Sequence, residues 1–364
     1  MVWLVVHIIV FKFQIKYEVK MKSGLAPKIR ALAMVVCSFL ACPAGFAAVQ
    51  DKQQSKDDAP KISEGEQKAI DKINAASGVA EKLKAAAEYL KKNGKSQMRP
   101  RVAAYVSDEI AKVTDHNQRI GFVENFTKTF NLSEEADLVK PSLIDSLIAL
   151  NKFDEAFNEG SKYVERKPDD VVVLTLLASA GANQANKQIQ SSQAPPAGML
   201  QKASEAGAKA VELLEADKKP EKMDATYWNN FRNTWLPRLY QAQGIILFVN
   251  NDKVAAKDKL EKAAGLDPYD LSTLLMLRNV VNDEYMKIAE RYQTEKKQSL
   301  LNEALQKMDE LIDWLARSAA LTEGNAQYEA INKQVMDQLK DCYAFRHEGK
   351  TDGLTGLILK YKKP

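Results

Sequence analysis

The chain is short of the residues that carry chemistry or staple small folds. Its 364 residues include three cysteines, three histidines, 16 glycines and 12 prolines. Cys37 and Cys42 fall in an apolar leader, which leaves Cys342 alone in the body, and one cysteine makes no internal disulfide. His116 and His347 are equally isolated. There is no glycine-rich phosphate loop, dinucleotide fingerprint, HExxH or CxxC. A basic field is missing too. Residues 1–47 hold six of the 52 basic residues and one of the 48 acidic ones, so the remainder stands at −1. That balance gives no electrostatic footprint for nucleic acid. Carboxylates are plentiful but alternate with lysines, the pattern of a solvated helix face with i,i+4 pairs.

What the sequence has is helix formers and a leader. Lys22, Lys28 and Arg30 precede an apolar run from Ala31 to Cys42, and small residues flank Phe46. This order is that of an export signal over 21–47, cleaved after Ala47. The run is too short to span a bilayer, and no membrane span is expected in the mature chain. Residues 1–20 read as an extension ahead of a true start at Met21, the alternative being an extra membrane-embedded segment. Phe39-Leu40-Ala41-Cys42 is similar to a bacterial lipobox, which would put a lipid on Cys42, although Phe39 stands where leucine is usual. Residues 48–61 are polar and read as a flexible leader.

From Ser63 onward apolar residues recur at helical spacing. Ser63 and Glu66 form a capping-box pattern, and Gly94 is placed to close its helix in the left-handed conformation. Val79, Leu83, Ala86 and Leu90 share a face, as do Val102, Val106, Ile110 and Val113. The turns at 93–96 and 114–117 are short, so helical hairpins are expected over 62–136. The stretch 169–177, DDVVVLTLL, looks like a strand, but Pro168-Asp169-Asp170 is a helix start and Leu174 and Leu177 keep a helical step.

A spacing then repeats. Ala256, Leu260, Ala263 and Pro268 match Ala156, Gly160, Tyr163 and Pro168, and Ala203, Gly207 and Ala210 repeat the first three positions. Gly244 precedes Ala256 by twelve residues, as Ile144 precedes Ala156. These motifs resemble the tetratricopeptide repeat, a helix–turn–helix unit of ~34 residues. The physical need is plain: two helices packed closely in a hairpin require small side chains where their backbones approach. The resemblance implies an all-α, right-handed superhelical solenoid of antiparallel helix pairs with no significant sheet. Repeats are expected over 137–293, with an insertion at about 187–199 that includes a loop at 190–198, and capping helices over 294–364.

Repeats of this family line a concave groove with their first helices. By that resemblance the partner-binding candidates are Asn183, Arg238, Gln241, Ile245, Phe248, Asn279 and Asn282. The full Lys and Asn set with which the chaperone-adaptor subgroup grips a C-terminal carboxylate is not present. Trp228, Phe231, Trp235 and Leu239 fall on one helical stripe, read first as core and alternatively as an aromatic peptide-binding wall. The sequence reading is therefore a non-enzymatic protein-interaction scaffold of the bacterial periplasm, or a secreted one, without cofactor or metal. The alternative is an envelope or outer-membrane assembly factor, a lipoprotein anchored at Cys42. Residues 86–96 echo the helical-repeat lipoprotein of the outer-membrane assembly machine, with Gly94 where proline is usual. The intact mass of the exported form should correspond to a chain beginning at Ala48. A mass that includes residues 1–20, or a diacylglycerol on Cys42, would overturn this reading.

Overall fold

Side chains at the segment starts set where the helices begin. In the computed structural model, which describes residues 62–362 except 192–194, 196–197 and 222, fifteen α-helices and one 3₁₀ turn account for the regular structure, and no strand occurs among the described residues. The extension, signal and leader expected over 1–61 lie outside the described residues. The helices are α1 (Glu64–Ala75), α2 (Val79–Asn93), α3 (Arg99–Ala111), α4 (His116–Thr129), α5 (Ser133–Leu138), α6 (Lys140–Ala149), α7 (Phe153–Arg166) and α8 (Val171–Ser191). They continue with α9 (Met199–Glu215), α10 (Ala225–Val249), α11 (Lys253–Leu266), α12 (Leu271–Glu295), α13 (Gln298–Thr322), the 3₁₀ turn Ala326–Tyr328, α14 (Glu329–Arg346) and α15 (Leu354–Leu359).

The strand-like valines are helical because Asp170 caps α8. Its Oδ1 accepts from the Val172 and Val173 N–H groups at 3.1 and 3.2 Å, and the Tyr163 hydroxyl holds its Oδ2 at 2.6 Å. Ser63 caps α1 by accepting from Glu66 N–H at 3.2 Å. The Glu66 carboxylate is engaged elsewhere: it accepts from the hydroxyls of Tyr89 (2.8 Å) and Ser96. Glu66 thus ties α1 to α2 and the following turn. Gly94 departs from expectation, sitting in the right-handed region at φ −60°. α8 runs on to Ser191, two residues into the loop expected over 190–198, and α9 begins at Met199.

The chain divides into two compact units. One holds the described residues of 62–182 and 196–243, the other those of 183–195 and 244–362. In the first unit α1 packs on α2, α2 on α3 and α4, α4 on α6, α6 on α7, and α7 on α9. Its core around α1 to α4 includes Ile73, Tyr89, Val106, Ile110, Phe126 and Phe130, the two phenylalanine rings stacked at 4.6 Å. In the second unit α11 packs on α12, α12 on α13, and α13 on both α14 and α15. Cys342 is buried in that core with Leu315, Val335 and Leu339.

The short helix α5 runs against the usual pattern. Glu135 and Asp137 are buried while Leu132 and Leu138 are exposed. Long-range cations make this possible. Arg99 from α3 grips both Glu135 oxygens at 2.6 and 2.8 Å, and Arg166 from α7 reaches Asp137 at 2.6 Å.

All nine small or packing positions of the three spaced motifs are buried: Ala156, Gly160 and Tyr163; Ala203, Gly207 and Ala210; Ala256, Leu260 and Ala263. Two glycines take a leucine of the neighbouring helix into the space a side chain would fill. A Cβ on Gly160 of α7 would stand 2.7 Å from Leu177 Cδ2 of α8. One on Gly244 of α10 would stand 2.6 Å from Leu260 Cγ and 3.2 Å from the Ala256 carbonyl of α11. Leu260 is fully buried and has nowhere to retreat. Gly121, in α4, has nothing within 4 Å of such a Cβ. Two substitutions should therefore move stability in opposite directions in thermal or urea unfolding. Gly244→Leu overpacks the contact and should cost ~1–3 kcal/mol. Gly121→Ala removes only backbone freedom and should gain ~0.5–1 kcal/mol. An unchanged melting temperature for Gly244→Leu would show that the close approach does not matter.

Candidate functional site

Of the seven groove candidates, Arg238 and Gln241 belong to the first unit, and Asn183, Ile245, Phe248, Asn279 and Asn282 to the second. Arg238 is exposed, with its guanidinium 5.4 Å from the centre of the Trp235 ring. Gln241 and Ile245 are buried, at 3% and 0% exposure, and neither offers a partner an accessible surface. The reason lies in α10. Every residue from Leu239 to Ile246 is buried, so this stretch has no solvent face for a helical spacing to select.

In the second unit Phe248, Asn282 and Asn183 are half-buried and Asn279 is exposed. Lys253 Nζ lies 5.6 Å from the centre of the Phe248 ring and pairs with Asp283, the neighbour of Asn282 on α12. Phe248 and the polar face of α12 are thus linked through one lysine. Asn282 Oδ1 accepts from Gln338 Nε2 of α14 at 3.1 Å. Asn279 Oδ1 accepts from the adjacent Arg278 at 2.7 and 3.2 Å. Asn183 Oδ1 is buried without a hydrogen-bond partner.

The aromatic stripe is interior. Trp228, Phe231, Trp235 and Leu239 are all buried, and successive ring centres lie 6.3 and 6.1 Å apart. Trp228 Nε1 donates to Asp217 Oδ1 at 2.6 Å, which satisfies the one polar atom that burial would strand. Of the two sequence readings, the core one fits this burial.

One feature of the second unit was not legible in the spacing. Glu261, Lys257, Glu310, Lys307 and Glu284 form a continuous chain of alternating charge across α11, α13 and α12, with contacts of 3.0, 2.8, 3.3 and 2.6 Å. The Lys257–Glu261 and Lys307–Glu310 steps have a sequence signal, the i,i+4 and i,i+3 spacings, and the two steps between helices have none. Burial pushes the Glu310 carboxyl up, but Lys257 and Lys307 outweigh it and hold the group below the usual carboxylate range. Burial likewise pushes Lys257 and Lys307 down, and their carboxylate partners hold both above the usual lysine value.

The isolated nucleophiles and bases are placed as packing groups. Burial pushes the Cys342 thiol up to about 12, so little thiolate forms near neutrality. His347 follows α14 and stacks on Tyr343 with ring centres 4.1 Å apart. His116 opens α4, its Nδ1 3.4 Å from the buried Ser146 hydroxyl. Among the described residues no group of three His, Cys, Asp or Glu is arranged to hold a metal ion, and no helix is long and apolar enough to cross a membrane. No protein-family model matches the chain, and no curated protein matches it.

The charge chain has a pH signature. A carboxyl whose folded value lies below its unfolded one contributes stability above the unfolded value and loses it as pH falls through the folded one. Glu310→Gln should lower stability by about 1 kcal/mol at pH 7, a figure kept small because the pair is part-exposed. It should also flatten the loss of stability seen for the wild type between about pH 5 and pH 3. Urea unfolding across that range measures both. Parallel pH profiles for the two proteins would show that the pairing contributes nothing.

Proposed function

We propose that this chain is a helical-repeat scaffold of the tetratricopeptide type, exported by a bacterium, whose work is to bind another protein. The observation that carries the reading is the coincidence of motif and contact. Apart from the two terminal prolines, the three spaced motifs bury all nine of their positions, and Gly160 and Gly244 stand where α7 meets α8 and α10 meets α11. A spacing that arose by chance in a helix-rich chain would scatter its small residues between buried and exposed faces. The consecutive packing of helix on helix also supports a stacked, solenoid arrangement, which leaves extended surfaces for partners.

Burial narrows the binding face. Within the second unit the accessible candidates are Phe248, Asn279 and Asn282, gathered by the Lys253 and Asp283 contacts. Phe248 is the apolar anchor in this reading, and the asparagines bond the partner's backbone. Binding, rather than catalysis, is the function these residues suit.

A photo-crosslinking amino acid at Asn279 tests this in cells, with one at the exposed Lys262 of α11 as the control. Discrete adducts with another protein are expected from Asn279 and not from Lys262. Phe248→Ala should weaken the adducts, since truncating an anchor commonly costs ~2 kcal/mol or more of binding. Its melting temperature should stay near that of the wild type. Absence of adducts at Asn279, or adducts indifferent to Phe248→Ala, would overturn the assignment.

A further inference from the structure

The turn that leaves α2 holds a reactive pair. Asn93 is the one asparagine in the 364 residues that is followed by glycine, and with no side chain beside it a glycine N–H is the least hindered backbone nucleophile. Asn93 ends α2, and both it and Gly94 are half-buried. In α7, α11 and α12 the N–H of the closing residue bonds back four residues, Lys167 to Tyr163, Asp267 to Ala263 and Lys296 to Tyr292. The Gly94 N–H is not among the amides bonded in this way. The Asn93 carbonyl, in contrast, accepts from the Ser96 N–H at 2.9 Å. That bond draws electrons out of the Asn93–Gly94 peptide and makes the Gly94 N–H more acidic. Positive charge acts in the same direction. Arg99 Nη1 donates to the Gly94 carbonyl at 3.0 Å, and Lys91, Lys92 and Lys95 are exposed on either side of the pair. The Asn93 side chain is tethered at the helix end, its Nδ2 donating to the Tyr89 carbonyl at 3.2 Å.

We propose that Asn93 is a site of spontaneous deamidation in the folded chain. The Gly94 N–H gives its proton to solvent hydroxide, and the nitrogen attacks Asn93 Cγ to close a cyclic imide. The Cγ–Nδ2 bond breaks, and that nitrogen leaves as ammonia with a proton from water. A water molecule then opens the imide at either carbonyl, giving aspartate or isoaspartate. The sum is an amide and water converted to a carboxylic acid and ammonia, with nothing oxidised or reduced. Isoaspartate inserts a carbon into the backbone between Tyr89 and Ser96. Both of these donate to Glu66, so the product loosens the tie between α1 and α2. The new carboxylate also stands at the C-terminal end of α2, where the helix dipole disfavours negative charge.

The test incubates the full chain in mildly alkaline buffer, folded and in urea, and follows each asparagine by peptide mapping. Aspartate and isoaspartate should appear at 93 before they appear at any other asparagine within 62–362. Loss of the Asn93 amide in the folded chain should stay within about 100-fold of its rate in urea, as suits a helix end that frays without global unfolding. Access through global unfolding alone would slow it by ~10³ or more. Ile110→Val, a mild loss from the core around α1 to α4, raises the globally unfolded fraction and should leave the folded rate unchanged. A slowing beyond about 100-fold would overturn the proposal. So would a faster reaction in Ile110→Val, or earlier conversion at another asparagine. None of these results depends on a partner, so the modification and the binding reading can fail separately.

Discussion

The seating of a leucine from one helix against a residue without a side chain on the next is the constraint on which the helix packing depends. At Gly160 and at Gly244 the neighbouring helix comes so near that even a methyl group would collide, with Leu177 in one case and Leu260 in the other. The same leucines are buried, so they fill the space the glycines vacate and cannot yield it. Gly207 shows a looser version, where a Cβ would meet Ala178 Cβ at 3.3 Å and Gln243 Cγ at 3.5 Å. Glycine inside a helix costs roughly 0.5–1 kcal/mol against alanine. Its presence at these contacts is understandable only if close packing returns more than that.

Around these contacts, charge does what apolar patterning does elsewhere. In the first unit Arg99 and Arg166 draw Glu135 and Asp137 inward and leave Leu138 of α5 and Leu132 just before it toward solvent. Arg119, itself buried, reaches Asp145 at 2.6 Å and the Val113 carbonyl at 2.7 Å, joining α4 to α6 and to the turn before α4. Buried pairs of this kind add little net stability over well-packed apolar groups, but losing one partner strands the other at a cost of ~3–5 kcal/mol. Their effect is to penalise any arrangement in which α5 packs by its leucines.

What could be read in the sequence was local. The helical class, the start of α8 at Asp170, the turns at 93–96 and 114–117, and the buried stripes of α2 and α3 all depend on residues within a few positions of one another. What could not be read depends on distance along the chain. Glu66 abandons the capping box for Tyr89 and Ser96, and Glu310 meets Lys257 from more than fifty residues away. The groove candidates divide on the same line. Arg238 and Asn279 are exposed, but Gln241 and Ile245 are enclosed because α10 is buried all round from Leu239 to Ile246, which spacing along one helix cannot reveal. Gly94 misled for a related reason. A glycine after a helix suggests a left-handed cap, but here the chain keeps right-handed geometry through the turn into α3.

The titratable groups bear on what kind of surface this is. A catalytic acid or base works best when its pKa is drawn toward the operating pH, so burial and neighbours in active sites pull lysines down and carboxyls up. Here the shifted carboxyls and lysines among the described residues run the other way. Glu88, Glu109, Asp224, Glu295 and Glu310 are lowered. Lys82, Lys112, Lys209, Lys257 and Lys307 are raised. In the carboxyls hydrogen bonds and opposite charges outweigh burial, and in the lysines their partners do the same. Burial, aided by neighbouring negative charge, moves Tyr285 and Cys342 up to about 12, further from reactivity. Such groups are fixed in their charged or neutral form across the neutral range. That direction of shift marks the pairs between helices, such as Lys257–Glu310 and Lys307–Glu284, as contacts that fix how neighbouring helices meet, as the buried glycines do.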